Sequence, residues 1–282
     1  MSYDLLFKPR NGLLDQADLV RYFSHRHNYK VDGAQAIYGN EDTGVYFQFD
    51  LQTASETSDT EDYPVEFNIN YLRPSYFILE AEMEVSAFVR TFDVLVSDGQ
   101  IGGMGEGEYR SDLLVSGWNA GNLFAYSACL RGPSGGRDLL SLPTKELMRV
   151  WEWNRDRKTL QQQVGERQFV PRVRIIQHDG APATAAVWPD AIPSILPLVE
   201  HLIIVRQEFA PKRLFKPVPD STLLAWGDAK AMLARHASPS QADRLSLGYD
   251  RQPKDVINFI RSLPASKQDI VGVAADEVLD RE

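Results

Sequence analysis

The segment Val45-Tyr46-Phe47-Gln48-Phe49-Asp50 alternates apolar and polar side chains with a period of two. That period fits a half-buried strand and no helix face. Val45, Phe47 and Phe49 define one side; Tyr46, Gln48 and Asp50 define the other. The loop Gly39-Asn40-Glu41-Asp42-Thr43-Gly44 separates this strand from Gln35–Tyr38, so the two read as a hairpin. Further strands are predicted at Tyr3–Lys8 and Val94–Val96, and a second hairpin joins Val65–Tyr71 to Tyr76–Glu80 over Arg73-Pro74-Ser75. A helix is predicted over Asp15–Arg26, with Asp15 and Asp18 in its first turn and Leu19, Tyr22 and Phe23 on one side. Another covers Glu82–Phe92, with Val85, Phe88, Val89 and Phe92 aligned. An antiparallel sheet with packed helices, an α+β module, is the fold these signals predict for residues 1–98.

Five glycines fall within Gly99–Gly107, and residues 99–108 read as a linker. The stretch contains no lysine and lies among Asp98, Glu106 and Glu108, so it does not match a phosphate-cradling loop. Residues 109–282 read as a second, mixed α+β module. Its helices are predicted at Tyr109–Arg131, Pro143–Gln163, Gly227–His236 and Pro253–Ser262, and its strands at Phe169–Gln177, Ala183–Trp188, His201–Gln207 and Leu223–Trp226. The charged tail from Asp276 is predicted to fray. In the Pro143–Gln163 helix, basic side chains alternate with Glu146, Glu152 and Asp156, which reads as ion pairing on a solvated face.

Charge is distributed unevenly. Residues 1–108 hold 19 acids against 7 bases, whereas residues 109–282 hold 20 against 23. Between Lys30 and Arg73 there are nine carboxylates and no Lys or Arg. Charge of one sign on one module attracts a partner of the opposite sign and disfavours nucleic acid as its ligand. The single cysteine, Cys129, excludes an internal disulfide framework. The first residues lack a basic-then-apolar leader, and no apolar run reaches membrane-spanning length, so a soluble cytoplasmic protein with no membrane partner is expected.

The residues offer no catalytic constellation. The five histidines are dispersed, and none lies in a His-x-x-x-His or Cys-x-x-Cys frame, so no metal site is expected. His178-Asp179 could form a base oriented by a carboxylate, against the plainer reading of a turn aspartate beside an incidental histidine. Asp59-Thr60-Glu61-Asp62 lacks the glycine and terminal glutamate of a calcium loop, and Val115-Ser116-Gly117 lacks the first glycine of a nucleophile elbow. No cofactor is called for. Paired carboxylates of the glycosidase kind need no local motif, and that alternative stays open.

Tyr3-Asp4-Leu5-Leu6-Phe7, a helix, and then Tyr38-Gly39-Asn40-Glu41-Asp42-Thr43-Gly44-Val45-Tyr46-Phe47 resemble the immunity proteins that bacteria encode beside secreted antibacterial toxins, notably type VI secretion effectors. Ala191–Pro197 through Leu202–Arg206 adds to the likeness. The resemblance implies a non-catalytic inhibitor that binds a toxin and occludes its active site. A nuclease toxin, with a basic cleft, would suit an acidic inhibitor. The surface expected to bind this cognate toxin comprises Glu41, Asp42, Tyr46, Asp59, Glu61, Asp62 and Tyr63. An adaptor or chaperone that loads a secreted effector is one alternative, and an enzyme with dispersed carboxylates is another.

Overall fold

The computed structural model describes residues 1–51, 63–100, 102–131, 140–210, 212–213, 216–217, 219–238, 244–266 and 269–281. In chain order the first elements are β1 (Ser2–Pro9), α1 (Gln16–Ser24), β2 (Tyr29–Asp32), β3 (Gln35–Gly39), β4 (Tyr46–Leu51) and β5 (Val65–Asn70). They continue with α2 (Tyr76–Phe92), β6 (Val94–Asp98), β7 (Gly105–Gly107), α3 (Ser111–Arg131), β8 (Leu140–Pro143) and α4 (Thr144–Val164). Next come β9 (Val173–His178), β10 (Ala181–Pro189), β11 (Ser194–Pro197), β12 (His201–Arg206), β13 (Lys212–Arg213), β14 (Lys216–Pro217) and β15 (Asp220–Ala225). The last are α5 (Trp226–Leu233), β16 (Arg244–Leu247), α6 (Lys254–Ser262), β17 (Val271–Val273) and β18 (Val278–Arg281). The chain forms two compact units, Met1–Thr144 with Ala275–Glu282, and Lys145–Ala274.

The first unit is built on a seven-stranded antiparallel sheet ordered β2-β3-β4-β5-β1-β6-β7. Alternation decides its faces. Tyr3, Leu5 and Phe7 of β1, Phe47, Phe49 and Leu51 of β4, and Val65, Phe67 and Ile69 of β5 are all buried. Helices pack on this side. Phe23 of α1 meets Phe49 at 4.9 Å between ring centres, and Phe88 of α2 meets Phe7 at 5.0 Å and Phe49 at 5.2 Å. Rings at these separations add edge and offset attraction to the area they bury. α3 comes close because Gly117 and Gly121 present no side chain: a methyl on Gly117 would lie 2.9 Å from the Tyr3 hydroxyl, and one on Gly121 would overlap the Tyr71 ring.

Several elements differ from expectation. Tyr76–Glu80 is the first turn and a half of α2 and not a strand, so the second hairpin is a strand, a turn and a helix. A short run such as Tyr-Phe-Ile-Leu has no readable period, and burial of Tyr76, Phe77, Ile78 and Ala81 decides it. β2, not anticipated, completes the sheet edge beside β3. The glycine-rich 99–108 stretch lies within the first unit, where β7 pairs with β6. It wraps the buried Asp98, whose carboxylate accepts the Tyr3 hydroxyl at 2.5 Å and the backbone N–H groups of Gln100 and Met104 at 3.1 and 3.0 Å. A Cβ at Gly103 would collide with that carboxylate, so the glycine there lets the loop close around it. The tail from Asp276 does not fray: β18 pairs in parallel with β8.

The second unit is also α+β. Its five-stranded sheet, β15-β12-β10-β9-β17, is mixed, with β10 and β12 parallel and the other pairs antiparallel. Trp188, Leu196, Leu202, Ile204, Leu233, Val256 and Ile260 share one core with Val150 of α4. The buried Asn154 docks α4 on β9 by a two-way exchange with Val173, its amide donating to the carbonyl and its oxygen accepting the N–H, each at 2.9 Å. Arg206, fully buried, donates to both oxygens of Asp220 at 2.7 and 2.8 Å and to the carbonyls of Ile260 and Leu263 at 2.7 Å each. In α4 the charged pairs include Glu146 with Arg149 and Arg155 with Asp156. No described helix is long and apolar enough to cross a membrane.

Candidate functional site

The side of the first sheet turned away from α1, α2 and α3 carries the outward residues of β1, β3, β4 and β5. Strand register sets their neighbours: Asp4 lies opposite Asn68, Asn68 opposite Gln48, Gln35 opposite Asp50, and Asp50 opposite Glu66. All are half-buried or exposed. Amides steer the carboxylates. Gln35 and Gln48 donate to the two oxygens of Asp50 at 2.8 and 3.0 Å, and Asn68 donates to Asp4. The ion pairs among the described residues include none to Asp4, Asp50 or Glu66. The face therefore holds three acids, of which Asp4 and Asp50 are tied by neutral donors that orient charge without cancelling it.

Glu66 carries its charge against resistance. Burial pushes its carboxyl pKa up, and the Asp4 and Asp50 carboxylates push the same way. A carboxyl with a higher pKa folded than unfolded binds more protons in the folded state, so stability falls as pH rises through that window. Glu66→Gln keeps the shape and removes the charge. It should stabilise the protein by about 0.2–1 kcal/mol at neutral pH, the range for like charges directly opposed across strands. The gain should vanish near pH ~3, where the carboxyl is protonated in both states. Urea unfolding at both pH values reads this out, and a loss at neutral pH would mean that Glu66 has an attractive partner.

The residues expected from sequence to form the partner surface are placed differently from one another. Glu41 is exposed. Asp42 is only 7% exposed, which corrects its expected surface position. The loop turns inward there because the buried Glu80 of α2 accepts the Tyr38 hydroxyl, the Asn40 amide and the Thr43 hydroxyl at 2.8, 2.7 and 3.0 Å. The Asn40 side chain also accepts the Asp42 N–H at 3.0 Å, and burial followed by the Glu80 charge pushes the Tyr38 hydroxyl up, keeping it a donor. Tyr46 is half-buried: it donates to Asp276 at 3.0 Å and accepts from Arg73, whose guanidinium lies over its ring. Tyr63 donates to Glu106 at 3.0 Å, with the Lys8 ammonium 5.1 Å from its ring centre. Asp59, Glu61 and Asp62 lie outside the described residues.

Sequence reasoning passed over Asp4, Asp50 and Glu66 as a group. The period-two pattern already put Asp50 and Glu66 opposite the aromatic side of their strands. Only the register brings Asp4, 64 residues from Asn68, to the same surface.

The second unit brings together His178 and His201, with ring centres 4.5 Å apart. His178 Nε2 is 3.4 Å from the exposed Asp179, which sits in a turn with φ of 49°. Burial, aided by His178, lowers the His201 pKa, and its Nδ1 is buried with no hydrogen-bond partner. A cavity of about 570 Å³ lies along α4, lined by Arg149, Trp153, Leu160, Val173 and Leu198 together with the exposed Glu152 and Asp156. Among the described residues, no group of three or more His, Cys, Asp or Glu side chains is disposed to hold a metal ion. No protein family, curated protein or solved structure matches the chain.

Proposed function

We propose that this chain is a stoichiometric inhibitor of the immunity-protein kind, which neutralises a basic toxin, a nuclease by preference, through the acidic face of its first sheet. One observation carries the reading. Asp50 and Glu66 stand directly opposite one another, beside Asp4, on the side of the sheet turned away from α1, α2 and α3. Opposed like charges weaken a sheet, so folding alone gives no reason for them. A cationic partner does, because it relieves the repulsion when it docks. The neutral amides of Gln35, Gln48 and Asn68 fix the Asp50 and Asp4 carboxylates in advance, which lowers the ordering cost of binding. The contact surface is thus centred on Asp4, Asp50 and Glu66, with Glu41 exposed on the β3–β4 loop.

The test is co-purification with the product of the adjacent reading frame. The two should form a complex at low salt whose formation slows steeply as salt is raised, because screening acts on the long-range attraction. An adaptor would leave the toxin active in the complex. Absence of any complex at low salt would remove the reading.

A further inference from the structure

From Ala275 the polypeptide returns to the first unit and runs along it as a short linear segment. β18 adds in parallel to β8, matching Val278 with Leu140 and Arg281 with Pro143, and this two-stranded sheet is separate from the seven-stranded one. Val278 and Leu279 are buried. On one side of them the Asp280 carboxylate accepts the Ser75 N–H at 2.6 Å and the Ser75 hydroxyl at 2.7 Å, at the start of α2. On the other side Asp276 accepts the Tyr46 hydroxyl at 3.0 Å, with Arg73 3.8 Å away. Gly44, at φ of 79°, leaves room for the chain: a Cβ there would stand 2.6 Å from that of Ala275.

These contacts have the form of peptide recognition by strand addition: backbone pairing along one edge, an apolar pair in the middle, and an acidic anchor at each end. We propose that the first unit contains a peptide-binding groove, formed by β8, the Arg73–Ser75 turn and Tyr46, and that residues 275–281 are its ligand in cis. The groove recognises a linear segment carrying two carboxylates four residues apart around two aliphatic side chains. Arg73 and the Ser75 N–H read the acids, and β8 reads the backbone. While tethered, the segment holds the groove closed at high effective concentration. Once the tether is cut, it becomes an exchangeable ligand. This inference is independent of what docks on the acidic sheet face.

The experiment uses the full chain with a site-specific protease sequence inserted between Ala274 and Ala275. After folding and cleavage, fluorescently labelled synthetic peptide 275–281 is titrated in and followed by anisotropy. The cleaved chain should keep its circular dichroism spectrum and bind the peptide saturably, with competition by unlabelled peptide. The uncut chain should bind at least about tenfold more weakly, because its groove is filled. A peptide carrying Asp280→Asn should also lose at least about tenfold, as expected when hydrogen bonds to a charged acceptor are weakened. Loss of the fold on cleavage, absence of saturable binding, or equal binding of the Asp280→Asn peptide would each overturn the proposal.

Discussion

Arg206→Met should destabilise the second unit by roughly 3–5 kcal/mol, the cost of breaking a buried pair from one side. Arg206 is 0% exposed, and its guanidinium spans from Asp220 on β15 to the carbonyls that end α6. Methionine fills much of the same volume but donates nothing, so a carboxylate and two carbonyls lose their donors together. The penalty lies in those stranded acceptors more than in the lost attraction. Adding Asp220→Asn to the methionine variant should therefore restore at least about 1 kcal/mol, a coupling typical of residues in one network. Four of the five tryptophans (Trp151, Trp153, Trp188 and Trp226) belong to the second unit, so fluorescence-monitored urea unfolding reports on it. A loss below about 1 kcal/mol for Arg206→Met would contradict this account of how α6 is held.

Charge reversal on the first sheet should act on binding and not on folding. The variant Asp4→Lys, Asp50→Lys, Glu66→Lys turns a face of three unpaired acids into a basic one. Electrostatic steering changes association rates by about 10 to 10³, and the rate with a basic toxin at low salt should fall within that range. The neutral variant Asp4→Asn, Asp50→Asn, Glu66→Gln should fall between it and the natural protein. Because Asp50 and Glu66 repel one another, the neutral variant should also be at least as stable at neutral pH. Stopped-flow association across a salt series separates the three proteins. Coincident rates would place the docking surface elsewhere.

The inward half of the first sheet was legible in the sequence because period-two alternation declares itself in Tyr3-Leu5-Phe7 and Phe47-Phe49. The Leu19–Phe23 side of α1 was legible from helical spacing, whereas Asp15, read in the first turn, is the N-cap. What could not be read depends on contacts far along the chain. α2 begins at Tyr76 where its start is bonded by Asp280, 205 residues from Ser75, and nothing local announces that partner. Asp42 reads as a loop acid, yet the loop is drawn inward by Glu80, a glutamate that local sequence places at the end of a predicted strand. The acidic face was half visible. Counting carboxylates between Lys30 and Arg73 found Asp50 and Glu66, but only the pairing of β1 with β5 adds Asp4 and sets the acids side by side.

The central claim is that the acidic sheet face silences a toxin, and survival of cells expressing the adjacent gene's product measures it most directly. Co-expression of the natural protein should permit growth, and the triple lysine variant, matched for folded protein level, should not. If the lysine variant protected as fully as the natural protein, or if cells died while the complex could still be isolated, inhibition through Asp4, Asp50 and Glu66 would be contradicted.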